Sequence, residues 1–139
     1  MNFVLARFTS RPFTPFREPF SEIYFAADCP NATPEECAKE DAHRYGMDVR
    51  IENAVPVLAA KFREVLTEWL GPDKVSEIIR INRLPDTHPN ACASGDFCDS
   101  NMAMLEAWEA VIPEKFDFHS EAHSALWGSA WSIFRNSIA

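Results

Sequence analysis

The sequence predicts a helix-rich α+β protein with a short antiparallel sheet built from its N-terminal half. Extended segments separated by turn residues occupy that half, whereas apolar residues at helical spacing dominate the remainder. A length of 139 residues suits one domain, and 47% apolar residues supply a core that needs no disulfides. We therefore predict a single domain, residues 1–139, with four or five helices packed on the sheet.

Two strand candidates flank a proline-rich loop near the N-terminus. Phe3–Phe8 and Ile23–Ala27 are the candidate strands, and Ser10–Phe20 lies between them. The density of proline in this loop is incompatible with a helix and disfavours a central strand. Rings in such a loop usually pack over the protein's own core, and we expect this here; a binding arm is the alternative. The residues concerned are Pro12, Pro15, Pro19, Phe13, Phe16 and Phe20.

The next segment carries clear start and stop signals for a helix. Thr33 suits the N-cap, Pro34 the first helical position, and Glu36 completes a capping box. The helix is expected to end at Tyr45, with Gly46 as its stop. Its apolar stripe is thin, which indicates an exposed helix. Residues 47–52 then alternate apolar and charged side chains, the pattern of a half-buried strand.

Helices are predicted for most of the C-terminal half. One spans Asn53–Leu70, and a second begins near Asp96 and ends at Pro113. Residues 75–83 fit a helix or a strand, and helix is favoured; residues 84–95 read as a loop. A last helix follows Asp117. The expected buried positions are Leu58, Phe62, Val65 and Trp69 in the first, Cys98, Met102, Leu105, Trp108 and Ile112 in the second, and Trp127, Trp131, Phe134 and Ile138 in the last.

The charge is acidic and unevenly distributed. The net charge is −8, with −5 in residues 21–60, −5 in residues 96–139 and zero in residues 61–95. Direct nucleic-acid binding is not expected, because it requires clustered Lys and Arg. A protein partner with a basic surface is compatible with this charge, including the nucleic-acid-binding groove of an effector. The expected partner-binding residues are Glu35, Glu36, Glu40, Asp41, Asp99, Glu106 and Glu109.

Histidine and cysteine residues supply weaker candidates for a metal site. His88, Cys92 and Cys98 cluster in a loop that enters a helix, but five residues separate the two cysteines, whereas structural zinc sites usually have two to four. His119 and His123 would share one face of a helix at a spacing that metals use. Burial of free thiols and packed histidines explains both patterns more simply. No cofactor is therefore expected, with zinc as the alternative.

No motif indicates catalysis, secretion or a membrane-spanning helix. With four glycines in the chain there is no phosphate-binding loop or dinucleotide fingerprint, and no nucleophile–base pattern stands out. We expect a non-enzymatic protein. The first residues lack a signal-peptide pattern, and no apolar run has the length of a membrane helix. The expected location is therefore the cytoplasm, where cysteines stay reduced.

The segment from Asp96 to Trp108, DFCDSNMAMLEAW, resembles one that recurs in small proteins of proteobacterial phages and prophages. The pattern there is close to D-F-C-D-A-N-M-x-M-x-E-A-F; Ser100 and Trp108 depart from it. The resemblance covers about a tenth of the chain and implies a mobile-element origin, with a bacterial host in whose cytoplasm the protein is expected. It implies an inhibitor of host defence of the anti-CRISPR type, which binds its target stoichiometrically. The alternatives are a metal-binding protein or metal-dependent enzyme, and a structural or accessory phage protein; a homodimer is left open.

Overall fold

The computed structural model confirms the α+β class and the antiparallel sheet in the N-terminal half. It describes residues 1–80 and 95–137, with side chains for residues 1–77, 79 and 101–137. The chain forms two compact units, residues 1–54 and residues 55–139, called here the N-terminal and C-terminal units; the single domain stays a prediction. The elements are β1 Phe3–Ser10, β2 Phe20–Phe25, a 3₁₀ turn Ala26–Asp28, α1 Pro34–Tyr45, β3 Met47–Asn53, α2 Ala54–Leu70, α3 Pro72–Arg80, α4 Gly95–Val111 and α5 Glu121–Asn136.

The sheet of the N-terminal unit has β1 at its centre. The strand order is β2–β1–β3 and both pairings are antiparallel. Phe8 lies opposite Phe20 on β2 and opposite Val49 on β3. The predicted second strand is displaced: it starts at Phe20 rather than Ile23, because the ladder with β1 extends that far, and Ala27 belongs to the following 3₁₀ turn.

Helix α1 has the bounds that its capping residues predict. Thr33 Oγ1 accepts a hydrogen bond from the Glu36 amide at 3.2 Å, and Gly46 ends the helix in the left-handed conformation at φ 66°. Glycine adopts this conformation without the steric cost that a Cβ brings. The helix packs on one face of the sheet. The buried residues of that contact are Ala6, Phe8, Ala38, Ala42 and Met47.

The C-terminal unit contains α2 through α5 among the described residues. Residues 75–80 belong to α3, which confirms the helical interpretation; residues 81–83 lie outside the described part. In α2, Leu58, Phe62 and Val65 are buried as predicted, but Trp69 is 46% exposed and Leu66 is buried instead. Trp69 occupies the last turn of α2, where the apolar spacing continues after the buried face has ended.

The predicted buried face of α4 is wrong by about a quarter turn. Met102 is 55% exposed and Leu105 only half-buried, whereas Met104 and Ala107 are fully buried beside Trp108 and Ile112. The prediction followed the large apolar residues. The buried face instead includes small alanines, which let a neighbouring element approach closely.

Aromatic rings of α4 and α5, and of the connection between them, form much of the core of the C-terminal unit. Trp127, Trp131 and Phe134 are buried as predicted, and Ile138 lies outside the described residues. The Trp127 ring contacts Phe62 at 5.2 Å and Phe116 at 4.7 Å between centroids. Such ring pairs add about 0.5–1.5 kcal/mol each to the burial of their area.

A matched pair of alanine substitutions tests the corrected face of α4. Met104→Ala removes a fully buried side chain and is expected to lower the free energy of unfolding by about 2–5 kcal/mol. Met102→Ala removes an exposed side chain two residues away and is expected to change it by less than about 0.5 kcal/mol. Urea denaturation measures both. Equal losses would contradict this assignment of the buried face.

Candidate functional site

The loop that joins β1 to β2 presents two phenylalanine side chains to solvent. Residues 11–19 are called here the aromatic loop. Phe13 is fully exposed and Phe16 is 77% exposed, so the expectation that these rings pack over the core is wrong. The β1–β2 ladder ends where Phe8 meets Phe20. Of the three phenylalanines, only Phe20 is therefore in register with the buried face, and the other two extend beyond the end of the sheet.

Polar contacts hold this loop at both ends. Arg17 donates from Nη1 to the backbone oxygen of Tyr45 at 2.9 Å, which ties the loop to the C-terminus of α1. The Arg17 amide donates to Ser10 Oγ at 3.4 Å, and Arg11 Nε lies 3.3 Å from Asp48 Oδ1. Inside the loop, Thr14 Oγ1 donates to the Arg11 oxygen at 2.8 Å. The loop therefore has a defined conformation at the positions that carry the exposed rings.

The backbone at Phe13 is itself unusual. Phe13 has φ 65°, in the left-handed region that bulky side chains rarely adopt. A residue held there costs about 1–3 kcal/mol, which the surrounding structure must offset. Pro12 and Pro15 fix the backbone on either side, so the bend at Phe13 falls between two restrained positions.

An aromatic cluster forms the base of the loop. The Phe8 ring stacks on Phe20 at 4.8 Å, and Tyr45 meets both rings edge-on at 5.6 and 5.7 Å. Phe8 is fully buried, while Phe20 remains partly exposed at the edge of the cluster. The aromatic loop therefore begins and ends beside a packed aromatic cluster, to which both the sheet and α1 contribute residues.

Of the four acidic residues of α1 that are predicted to bind a partner, two are half-buried and two are exposed. Glu35 lies 3.6 Å from the N-terminal amine, and the half-buried Asp41 accepts a hydrogen bond from Tyr24. Glu36 and Glu40 are exposed, although Glu36 Oε1 accepts a hydrogen bond from Thr33 Oγ1 at 3.1 Å and Glu40 lies 3.8 Å from Arg44. Among the acidic residues of α1, Glu36 and Glu40 are thus the ones that face solvent, one helical turn apart, on a helix that also exposes Lys39 and Arg44.

A hydroxyl shared between two carboxylates lies under α1. Tyr24 Oη is 2.6 Å from Asp41 Oδ2 and 2.9 Å from Glu22 Oε2. Burial of the phenol, followed by these two hydrogen bonds, raises the pKa of Tyr24 far above its usual value. A hydroxyl donates only one proton, so Tyr24 satisfies one of the two carboxylates at a time. The oxygen of the other carboxylate remains able to accept a hydrogen bond from another donor.

The second predicted acidic set lies on α4 of the C-terminal unit. Glu106 and Glu109 are exposed, and Trp69 donates from Nε1 to Glu106 Oε2. Met102, one helical turn before Glu106, is exposed as well. Asp99 belongs to α4, but its side chain lies outside the described residues. This patch combines charge with apolar area, which the sequence pattern did not indicate.

The metal candidates receive little support from the described residues. His88 and Cys92 lie outside them, as does the side chain of Cys98. His119 precedes the N-cap Ser120 instead of lying on α5, so the helical pair with His123 is not formed. Among residues 1–77, 79 and 101–137, no group of three or more His, Cys, Asp or Glu is arranged to hold a metal ion.

His123 has a structural role in the connection that leads into α5. Its Nδ1 accepts a hydrogen bond from the Asp117 amide at 2.9 Å, which places the ring proton on Nε2. Nε2 then donates to Glu114 Oε2 at 3.1 Å. The ring is buried beside Trp108, 5.1 Å away between centroids. Both nitrogens are used to hold residues 114–123 in place.

A shallow apolar groove lies between α2 and α5. Its volume is about 250 Å³, and Arg63 Nη1 donates to Ser137 Oγ at 3.1 Å beside it. The lining residues are Pro56, Ala59, Ala60, Arg63, Ile133, Phe134 and Ser137.

The sequence could have indicated part of what was missed. Three prolines restrict the loop, and a restricted loop has few ways to turn its rings inward. The aromatic content of the loop is what indicates a binding arm, although Phe-rich loops more often pack over their own core. The Tyr24–Asp41 contact joins residues 17 positions apart and has no local sequence signal.

Comparison with known proteins adds no family assignment. No family model, curated protein or solved structure matches the chain. Within the described ranges, no helix has both the length and the apolar character required to cross a membrane.

The shared hydroxyl gives a prediction for alkaline pH. Because the pKa of Tyr24 is raised in the folded state, the fold binds this proton more tightly than the unfolded chain does. Its contribution is fully present below about pH 10, the pKa of an unperturbed tyrosine, and is lost as the pH rises above that value. The free energy of unfolding is therefore expected to fall above about pH 10, and less steeply in Tyr24→Phe.

Tyr45→Phe is the matched control. Repulsion from Glu22, followed by burial, raises the pKa of Tyr45, but this hydroxyl lacks the two direct carboxylate bonds of Tyr24. Urea denaturation between pH 8 and about 10.5 is expected to show the larger change in slope for Tyr24→Phe. Identical pH profiles for the wild type and Tyr24→Phe would contradict the shared-hydroxyl geometry.

Proposed function

We propose that the protein acts by binding another protein, with the aromatic loop as its anchor. The observation that carries the proposal is the exposure of Phe13 and Phe16 on a loop that is tied down at both ends. Burying one exposed phenylalanine contributes about 1.5–3 kcal/mol, and buried aromatic residues commonly dominate the energetics of an interface. A loop that is already ordered loses little conformational entropy on binding.

The charge near the loop defines the partner further. Glu40 lies five residues before Tyr45, which is about 7.5 Å along the axis of α1. Glu36 lies one turn further from the loop. A fitting partner offers an apolar pocket for the two rings and basic side chains that face these carboxylates. The complementary charge would mainly accelerate association and fix the orientation of the complex.

The resemblance of residues 96–108 to a phage segment supports the choice of a partner within bacterial defence. We propose that the protein inhibits a defence component stoichiometrically, in the anti-CRISPR manner, by occupying a basic surface in the host cytoplasm. Nucleic-acid-binding effectors carry surfaces of this kind. The proposal requires no catalysis and no metal. It is tested in cells by asking whether the protein restores phage plaques on an immune host.

Removing both exposed rings is expected to abolish binding without unfolding the protein. For Phe13→Ser/Phe16→Ser, affinity for a partner captured from a defence-carrying lysate is expected to fall at least about 30-fold for each ring that acts as a hot spot. The thermal midpoint is expected to stay within a few degrees, because neither ring packs in the core. Calorimetry or surface plasmon resonance measures the affinity.

Met102→Ser is the matched control for loss of exposed apolar area. It removes exposed apolar area outside the aromatic loop and is expected to leave binding unchanged. Wild-type affinity should also fall between low and high salt, and Glu36→Gln/Glu40→Gln should reduce that dependence. Unchanged affinity in the loop variant, or affinity that is independent of salt, would overturn the proposal.

A further inference from the structure

The outer edge of β3 is in a position to pair with a further strand. Within the described residues the sheet has the order β2–β1–β3, so β3 pairs with β1 on one side only. The backbone amides and carbonyls that point away from β1 have no strand partner there, and another strand can add to such a row. Asp48 and Arg50 are exposed on β3, so a partner can reach this edge.

Arg50 is a charge that the fold leaves unbalanced. It lies directly opposite Arg7 in the ladder between β1 and β3, and like charges in that position are destabilising. Arg7 is compensated, because its Nε lies 2.8 Å from Glu52 Oε1. Arg50 has no ion pair or side-chain hydrogen bond with residues 1–77, 79 or 101–137. A carboxylate on an added strand would supply the compensation that Arg50 lacks.

A second copy of β3 carries that carboxylate in the required position. If two copies pair antiparallel with full overlap, Arg50 faces Arg50 and Asp48 faces Glu52, so every facing charge repels. A register centred on Val49 instead places Asp48 of each copy opposite Arg50 of the other. A register centred on Ile51 would use Glu52, but its side chain is only 29% exposed and is engaged within its own chain, whereas Asp48 is 60% exposed. The charges therefore select the register centred on Val49.

We propose that the protein forms a twofold dimer in which β3 pairs with β3 of a second copy, Asp48 facing Arg50 at both ends of the contact. The apolar side chains agree with this register. Val49 and Ile51 are half-buried against the core of the N-terminal unit, and the pairing covers them further by placing Val49 opposite Val49 and Ile51 opposite Met47. Only residues 47–51 pair, so Glu52 keeps its contact with Arg7.

The dimer would join the two sheets into one of six strands. The aromatic loop lies at the end of the sheet where β3 begins, because Ser10 is opposite Met47. Antiparallel pairing of the two β3 strands would therefore place the two aromatic loops at opposite ends of the combined sheet. The dimer does not depend on the proposed binding function, since its contacts lie on β3 and not on the loop.

A charge swap between two variants of the full-length protein tests the dimer and its register. Arg50→Asp makes carboxylates face each other at both ends of the contact, and Asp48→Arg makes guanidinium groups do so. Each variant alone is expected to raise the dissociation constant of the dimer at least about 10-fold. An equimolar mixture is expected to restore association, because every Asp then faces an Arg again. Sedimentation velocity from micromolar to millimolar protein measures the association.

Lys115→Asp is the matched control for net charge. It changes the charge of the chain by the same amount as Arg50→Asp, from an exposed position outside the sheet, and is expected to leave the dimer unchanged. A wild type that stays monomeric at millimolar concentration would overturn the inference. So would a dimer that the control weakens as much as Arg50→Asp does, a dimer that neither edge variant weakens, or a mixture that stays monomeric, because association would then not depend on these facing charges.

Discussion

The stacking of Phe8 on Phe20, closed from the side by Tyr45, determines how the N-terminal unit is built. It joins the ends of β1, β2 and α1 in one aromatic cluster. Because the strand register ends at this pair, everything between Ser10 and Phe20 must leave the sheet as a loop. Arg17 then returns to the Tyr45 carbonyl and fixes the loop against the same cluster. The exposure of Phe13 and Phe16 is a consequence of this geometry.

Charged residues of the N-terminal unit make contacts within the fold, in addition to those proposed with a partner. Asp41 contacts both Tyr24 and Arg44, and the Glu36 carboxylate accepts a hydrogen bond from Thr33, the N-cap of its own helix. Such exposed or half-exposed pairs contribute about 0–1 kcal/mol each, so they orient side chains more than they stabilise the fold. Glu36 and Glu40 nevertheless remain exposed on α1. A net acidic chain can therefore present a small, defined set of carboxylates to a basic partner.

Local signals in the sequence predicted the fold well. Thr33, Glu36 and Gly46 bounded α1 correctly because capping depends on a few neighbouring residues. The alternation in residues 47–52 predicted β3 for a similar reason. Trp69 was misplaced because spacing does not show where the cover of a helix ends, and Met102 because the buried face of α4 includes alanines that a search for large apolar residues passes over. His119 was misplaced because Ser120, not Asp117, caps α5.

The candidate site depended on contacts that no local pattern specifies. The prolines indicated that residues 10–20 form a loop, but the direction of Phe13 and Phe16 follows from the register of two strands and the position of Tyr45. The acidic residues were identified from composition, but only the structure separates those that hold α1 in place from those that face solvent.

The central claim is that the aromatic loop is ordered before any partner binds. Backbone ¹⁵N relaxation of the free protein tests it most directly, because order parameters report motion of each amide on the picosecond to nanosecond scale. Amides of Phe13, Thr14, Phe16 and Arg17 are expected to approach the strand value of about 0.85. Values below about 0.6 across the loop would contradict the account, since the rings would then have no fixed presentation.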